Sequence, residues 1–342
     1  MRRKQQPYHT SRVGHLLRKP LIFLEAAVIS FGILGGASFS DDAHGTKEMI
    51  KKEAAELPFL ADSEEITQSE AADGTEETAA PEKKTESGTT PEFSWENYRI
   101  IAHAMGELDG YTYLNSRESF LAYYEQGCRL FEVDLTRTSD GVWVCRHSWN
   151  DPMGQWEEEG KKTLTAEEFL SAPLYGKYTP MSLKDLFLLL KDYPDAFVLL
   201  DSKQYSVRNY QKTLEDYSEY LEIAREAGAE QVLGQLIPEI YNEAMFPGTA
   251  LMYKFPSYIY SLWQKYSAEE LETIADFCKE KGIPAVTIYE QYWTEEIQGI
   301  FDRQGILVYI YTVNDLNKAN EYLNAGVAGI CTDRILQEQL LG

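Results

Sequence analysis

The feature that most constrains the fold is a regular alternation of β-rich runs and amphipathic helical stretches from Phe93 to the C-terminus. Eight of the runs are predicted to be strands: Arg99–His103, Arg129–Leu135, Phe197–Lys203, Leu233–Ile237, Ala250–Phe255, Ala285–Tyr289, Leu307–Thr312 and Gly329–Thr332. Helix-like stretches lie between them: Ser116–Gln126, Ser182–Leu190, Val207–Ala227, Ala268–Lys281 and Leu316–Ala325. A βαβα alternation predicts a parallel α/β sheet, and eight units over about 250 residues match a TIM (β/α)8 barrel. A doubly wound open sheet is the alternative.

One element departs from strict alternation after the second predicted strand. Asp140 and Gly141 separate two β-rich runs, and an Asp-Gly pair in that position is a strong hairpin signal. The sequence therefore predicts a small β-hairpin insertion after the second strand. If these two residues form the whole loop, His147 is placed directly opposite Asp134.

The N-terminal part has a different composition. Residues 1–40 begin with a basic stretch and continue with the apolar run Leu21–Phe39, which indicates a signal peptide or membrane anchor. Residues 41–92 are acidic and contain few large apolar residues, which is typical of a disordered linker. Residues 93–342 form the predicted barrel domain. We therefore expect an extracytoplasmic protein, either secreted or anchored in the plasma membrane through the N-terminal segment if that segment is not cleaved.

The charge excludes one class of partner. The formal net charge is -23, whereas binding to nucleic acid requires a basic face that neutralises phosphates. The cysteines have no metal-type spacing: Cys128, Cys145, Cys278 and Cys331 are dispersed along the chain. Export would permit a disulfide, but the spacing identifies no pair.

Two pairs of charged residues mark the ends of predicted strands. Glu132 and Asp134 are two residues apart, so both side chains project to the same face, as do those of Asp201 and Lys203. Two acids inside a barrel repel each other and require a cation between them. A hard divalent cation, with Asp201 as third ligand, suits these oxygen donors. An ion pair with Lys203 or Arg146 is the alternative.

His103 and His147 are the two histidines of the predicted domain, and both lie at strand ends near these acids. Taken singly, each could be an ordinary structural histidine. Together, two imidazoles beside a bound phosphate provide the general base and the general acid that phosphodiester cleavage requires.

These residues resemble the superfamily of glycerophosphodiester phosphodiesterases and phosphatidylinositol-specific phospholipases C. The resemblance extends from about Ile100 to Arg334. The motifs that carry it are IIAHAMG, NSRESF, GCRLFEVDLTRTSDGVWVCRH, LLDSK, VYIYTVND and AGVAGICTDR. It implies that His103 and His147 are the catalytic acid and base, and that Glu132, Asp134 and Asp201 bind Ca2+ or Mg2+. It also implies that Lys203 contacts the substrate phosphate, and that a substrate hydroxyl attacks phosphorus to give a cyclic phosphate.

Three positions depart from the family pattern. The usual His-Arg-Gly opening is replaced by His103, Ala104, Met105 and Gly106, so Arg146, Lys203 or Lys254 would have to supply positive charge to the phosphate. The usual Glu-Asn pair is Leu114-Asn115, and Asp201 stands where Glu is common. Three acids without a Glu at Leu114 are also similar to the arrangement in sphingomyelinase D-type phospholipases.

The sequence thus predicts metal-dependent cleavage of a phosphodiester substrate, which could be a glycerophosphodiester, a lipid-derived phospholipid headgroup or a cell-envelope phosphodiester. The alternative is a catalytically silent, membrane-tethered phosphate-binding barrel. A sugar hydrolase fits less well, because Glu132 and Asp134 are too close on one strand for the usual spacing of about 5–9.5 Å between acid and base.

Overall fold

The computed structural model describes residues 90–154, 162–203 and 210–340. The predicted export segment, residues 1–40, lies outside the described residues, as does the predicted linker 41–92 apart from residues 90–92. Within the described part of the chain, no helix has both the length and the apolar character needed to cross a membrane.

Eight parallel strands close into a barrel, which confirms the predicted fold class. The barrel strands are β1 (Ile100–Ala102), β2 (Leu130–Arg137), β4 (Phe197–Ser202), β5 (Leu236–Ile240), β6 (Ile259–Leu262), β7 (Ala285–Tyr289), β8 (Leu307–Tyr311) and β9 (Gly329–Thr332). Each pairs with its neighbour in chain order, and β1 pairs with both β9 and β2, so that the sheet closes on itself. One further strand, β3 (Trp143–Cys145), lies outside the barrel and pairs with β2 in the antiparallel direction.

Helices connect most of the strands. They are α1 (Arg117–Glu125), α2 (Ala166–Leu170), α3 (Leu183–Leu190), α4 (Tyr210–Glu226), α5 (Met245–Met252), α6 (Ala268–Lys281), α7 (Glu295–Gln304) and α8 (Leu316–Asn324). Four begin at a Ser or Thr whose side chain accepts a hydrogen bond from the backbone N–H three residues later, while the side chain of that later residue accepts one from the backbone N–H of the Ser or Thr. These capping boxes satisfy N–H groups that would otherwise have no partner at the helix start.

The barrel interior is filled by side chains from alternate strand residues. Leu130, Phe197, Ile237, Ile259 and Tyr309 are all buried in one apolar cluster. Because side chains alternate along a strand, the residues two and four positions after Leu130, which are Glu132 and Asp134, share its inward direction. Asp201 likewise lies four positions after Phe197 and shares its inward direction. The apolar layer therefore supports a polar layer at the carboxyl ends of the strands.

The predicted fifth strand, Ala250–Phe255, is wrong. Met245–Met252 is helical, and the strand is Ile259–Leu262, which follows it. Short apolar runs have no periodicity that separates strand from helix. Ala, Leu and Met favour the helix, whereas the Tyr and Ile residues of the later run favour the strand. The predicted fourth strand is shifted as well, because Glu230–Gln235 forms a 3-10 helix before the strand Leu236–Ile240.

The hairpin is confirmed, but its predicted register is wrong by one residue. Leu135 pairs with Cys145, so Arg146 and not His147 continues the ladder, with its N–H donating to the carbonyl of Asp134 at 2.8 Å. The loop has three residues because Gly141, at φ 89°, adds a left-handed residue after the turn. His147 is therefore the residue that follows the one opposite Asp134.

The cysteines do not form disulfides in the described chain. All four are buried free thiols.

Candidate active site

A large cavity opens at the carboxyl ends of the barrel strands. Its volume is about 900 Å³, and five of the predicted site residues line it: His103, Glu132, His147, Asp201 and Lys203. Asp134 is fully buried directly beside them. The structure thus brings together the residues that the sequence placed at separate strand ends.

Three carboxylates form the centre of this site. Glu132 and Asp134 lie on β2, and Asp201 is the direct neighbour of Asp134 in the pairing of β2 with β4. Each offers an oxygen atom, and these atoms all lie within 4.8 Å of one another. Such a short separation of buried acids is unfavourable unless positive charge offsets it.

Lys203 supplies part of that positive charge. Its ammonium lies 2.9 Å from Oδ1 of Asp134 and also donates to Asp201. Burial acts to lower the pKa of Lys203, but the charges of Asp134, Asp201 and Glu132 outweigh it, so the pKa is raised well above its usual value. The ion pair with Lys203 that the sequence allowed is therefore present, although one ammonium group does not balance three carboxylates.

Glu132 is a buried carboxylate in which one of the two oxygen atoms lacks a hydrogen-bond partner among the described residues. Its Oε2 accepts a hydrogen bond from the backbone N–H of Ala104 at 2.7 Å, but Oε1 has no hydrogen-bond partner among the described residues. Burial and the charge of Asp134 raise the pKa of Glu132 well above its ordinary range. A buried carboxylate oxygen without a partner, beside two further acids, fits a hard divalent cation.

Asn115 orients Asp134, a role that the sequence did not reveal. Its Nδ2 donates to Oδ2 of Asp134 at 2.7 Å, and its Oδ1 accepts from the backbone N–H of Asp134 at 3.0 Å. Burial acts to raise the pKa of Asp134, but Lys203, the two histidines and Asn115 together lower it. The neighbouring Leu114 packs in an apolar cluster with Val144 and Phe169.

Each histidine is held by a carboxylate. Nδ1 of His103 donates to Asp333 at 2.7 Å, and Nδ1 of His147 donates to Asp151 at 2.7 Å. Asn314 in turn donates to the other oxygen of Asp333. These bonds fix the ring orientations and leave Nε2 of each imidazole as the atom available for proton transfer.

Tyr113 lies between the two imidazoles. Its ring centroid is 4.9 Å from that of His103 and 4.6 Å from that of His147. Burial and the nearby acids raise the pKa of Tyr113 to about 12, so its hydroxyl stays protonated at neutral pH. The two histidines are therefore separated by one aromatic ring and line the same cavity.

Arg146 and Lys254 lie away from the cavity lining. Arg146 is 3% exposed, donates to the carbonyl of Asp151 at 2.6 Å, and lies near the ring of Trp149. Lys254 is exposed in the segment after α5. Of the three cations that the sequence proposed for the phosphate, the structure brings Lys203 alone to the cavity.

Glu239 and Tyr241 are two further candidates that sequence reasoning missed. Glu239 lines the cavity, and its Oε2 accepts from the hydroxyl of Tyr241 at 2.7 Å, while Tyr241 also contacts Asp201. Burial and the charge of Asp201 raise the pKa of Glu239 to about 7. The signal was the spacing of two between Ile237, Glu239 and Tyr241, which puts all three on the inward face. The misplaced fourth strand concealed it.

The contact with Asp151 controls the charge of His147. Burial acts to lower the pKa of His147, but the hydrogen bond with Asp151 and the charge of Asp134 outweigh it and raise it. We expect Asp151→Asn to move the NMR titration of His147 to lower pH.

The raised pKa of His147 makes the stability contributed by its contact with Asp151 depend on pH. Because the folded-state pKa of His147 is raised, the pair stabilises the protein below the unfolded pKa of about 6.5, and this contribution is lost as pH rises through the folded-state value. Asp151→Asn should therefore destabilise the protein more at about pH 5.5 than at about pH 8. Equal losses at both pH values would contradict this account.

Residues 109–337 match the model of the Glycerophosphoryl diester phosphodiesterase family. The match begins after His103 and covers the other residues of the site. No curated protein sequence matches the chain significantly.

Solved structures share the fold. An Oleispira antarctica phosphodiesterase, solved with the product sn-glycerol-3-phosphate, has a TM-score of 0.54 at 18% identity, covering 69% of this chain and 93% of that chain. A glycerophosphodiester phosphodiesterase from Parabacteroides distasonis has a TM-score of 0.51 at 18% identity, covering 69% and 92%. One from Thermotoga maritima has a TM-score of 0.50 at 19% identity, covering 69% and 94%.

Proposed function

Because the chain belongs to the glycerophosphoryl diester phosphodiesterase family and is thus a phosphoric diester hydrolase, we propose that His103 and His147 cleave a glycerophosphodiester with a divalent cation as cofactor. The observation that carries this proposal is the pair of carboxylate-held imidazoles in one cavity with the acidic cluster. General acid–base catalysis needs two such groups within reach of one phosphate.

The roles of the histidines follow from their surroundings. The raised pKa of His147 favours its protonated form, so we assign it as the general acid that protonates the leaving oxygen. His103 is then the general base: it takes the proton of the attacking hydroxyl, and the carboxylate of Asp333 stabilises the imidazolium that forms. As the new O–P bond forms, the bond from phosphorus to the leaving alcohol breaks.

Glu132, Asp134 and Asp201 are the residues that would hold the cation, Ca2+ or Mg2+. When bound, the cation supplies positive charge that offsets the charge developing on the phosphate. Lys203, which lines the cavity beside these acids, is the proposed phosphate contact from the protein itself.

We propose that attack by a neighbouring hydroxyl of the substrate gives a cyclic phosphate. The substrate class includes glycerophosphodiesters, phospholipid headgroups and cell-envelope phosphodiesters, and the glycerol phosphate bound by the Oleispira antarctica phosphodiesterase supports the first of these. The basic and apolar N-terminal segment supports an extracytoplasmic site of action, at the membrane or after secretion.

The test is an activity assay of the purified protein on a panel of diesters. We expect cleavage with added Ca2+ or Mg2+, loss of cleavage after chelation, and recovery when the cation is restored, because three buried acids need it. A 31P NMR spectrum of the products distinguishes a cyclic phosphate from a monoester. Absence of cleavage on every diester, with and without cations, would contradict the proposal.

A further inference from the structure

Tyr113 lies beside the point where the substrate phosphate has to be held. In-line displacement at phosphorus puts the attacking and the leaving oxygen on opposite sides of the phosphorus atom. In the proposed reaction His103 serves the first oxygen and His147 the second, so the phosphate lies between the two imidazoles. The ring of Tyr113 contacts both imidazoles, at centroid distances of 4.9 and 4.6 Å, and lines the same cavity. A phosphate within reach of both imidazoles is therefore within reach of this side chain.

The hydroxyl of Tyr113 is available as a hydrogen-bond donor. The residue is 39% exposed, and within the described part of the chain its hydroxyl makes no hydrogen bond to the protein. In contrast, the hydroxyl of Tyr241 donates to Glu239, and that of Tyr260 contacts Glu243. Because the pKa of Tyr113 is raised to about 12, the hydroxyl keeps its proton at neutral pH.

The backbone holds Tyr113 in a conformation that large side chains rarely adopt. Its φ angle is 55°, in the left-handed region. The residues that follow fix it there: Leu114 packs against Val144 in an apolar cluster, and the side chain of Asn115 binds Asp134. Unfavourable backbone conformations persist where the surrounding contacts enforce them, and they concentrate at functional sites. The position of Tyr113 is thus set by the same loop that orients one of the acids.

The cavity offers a phosphate little positive charge from the protein. Lys203 is the one Lys or Arg that lines it among the described residues. Its ammonium already lies 2.9 Å from Oδ1 of Asp134 and also donates to Asp201. A neutral donor that has no other partner is therefore a useful addition to Lys203 and a bound cation.

We propose that the hydroxyl of Tyr113 donates a hydrogen bond to a non-bridging oxygen of the substrate phosphate, which makes Tyr113 a further catalytic residue. This inference rests on the proposed function, because it places the phosphate between His103 and His147. The ring separates the imidazoles, and the hydroxyl holds the phosphate in line with both. Negative charge builds up on the phosphate oxygens during the attack, and a donor already fixed in place stabilises it.

Tyr113→Phe tests the donor, because it removes the hydroxyl and keeps the ring. We expect kcat/KM on the best diester of the panel to fall by about 10–100-fold, the effect of losing one hydrogen bond to a charged oxygen. Tyr111→Phe is the matched control, since Tyr111 is 37% exposed and its ring stacks on Tyr175 outside the cavity lining. This control should keep the parent value. Equal kcat/KM in Tyr113→Phe and the parent protein would overturn the inference.

Two further measurements separate the donor from a structural or an acid–base role. The thermal unfolding temperature of Tyr113→Phe should match that of the parent, because the lost hydroxyl makes no hydrogen bond to the described residues. Both limbs of its pH–rate profile should remain, because the imidazoles and not the phenol carry the transferred protons. Loss of one limb would overturn the assignment of Tyr113 as a donor that does not titrate.

A binding experiment tests the contact without turnover. Dimethyl phosphate is a diester that has no hydroxyl to attack its phosphorus. It is titrated into the full chain in the presence of Ca2+ and followed by 31P NMR. We expect Tyr113→Phe to raise the Kd by about 5-fold, because one hydrogen bond to the phosphate is lost, and Tyr111→Phe to leave it unchanged.

The outcomes separate this inference from the proposed function. If the parent cleaves diesters and Tyr113→Phe has the same kcat/KM, the inference is overturned and the proposed function stands. If the parent cleaves no diester, the proposed function is contradicted. Weaker binding of dimethyl phosphate by Tyr113→Phe than by the parent and Tyr111→Phe would then still support the contact, whereas equal binding by all three would overturn it as well.

Discussion

Replacing His103 with alanine is expected to lower kcat by about 10²–10⁴-fold, the usual contribution of a general acid or base. The imidazole is held by Asp333 and contacts Tyr113 edge-on, so its removal takes away the proton acceptor and leaves the neighbouring rings in place. The measurement is steady-state kinetics on the best diester of the panel. His147→Ala should have an effect of the same order.

Controls separate catalysis from folding. The thermal unfolding temperature of each variant should stay close to that of the parent protein, because both imidazoles lie at a cavity wall and outside the apolar core. Added imidazole should restore part of the activity of His103→Ala, since it can occupy the vacated space and accept a proton. Full activity in either alanine variant would contradict the assignment of that histidine.

Glu132→Gln is expected to give the second large effect, a loss of cation affinity of at least about 100-fold, more than the effect typical of outer-shell changes at metal sites. Glutamine keeps the size and the hydrogen bond from Ala104 but removes the charge that a hard cation requires. Calorimetric titration of Ca2+ and Mg2+ measures the effect, with Glu125→Gln at the exposed end of α1 as matched control.

The stability of this variant provides a second readout. In the metal-free protein, Glu132 is buried beside Asp134 with one oxygen that has no partner among the described residues, so its charge is destabilising. We therefore expect metal-free Glu132→Gln to be at least as stable as the parent, and to gain less stability than the parent when the cation is added. Unchanged cation affinity would contradict the assignment of Glu132 as a ligand.

Strand alternation explains why much of the site could be predicted from the sequence. Two residues that are two positions apart on a strand project to the same face. Glu132 and Asp134 therefore share a face, as do Asp201 and Lys203, independently of the rest of the fold. The apolar residues that precede each pair show which face points inward. The same rule would have found Glu239 if the fourth strand had been placed correctly.

Hairpin geometry explains one of the failures. The Asp-Gly pair is compatible with loops of different length, and the choice depends on the backbone of one residue, Gly141. Its left-handed conformation adds a residue to the loop and shifts the partner strand by one position. Arg146 is buried and donates to the carbonyl of Asp151, and the positive charge expected from it does not reach the cavity lining.

By itself, the sequence determined the barrel, the inward direction of the acids and which two histidines lie at strand ends near those acids, because these depend on local periodicity and on residue type. Tertiary structure alone decided that Asp333 holds the imidazole of His103, since the two residues lie 230 positions apart in the chain. It also decided which apolar run became the strand beside β5. Those outcomes depend on contacts between distant segments, and no local pattern encodes the distance across a closed barrel.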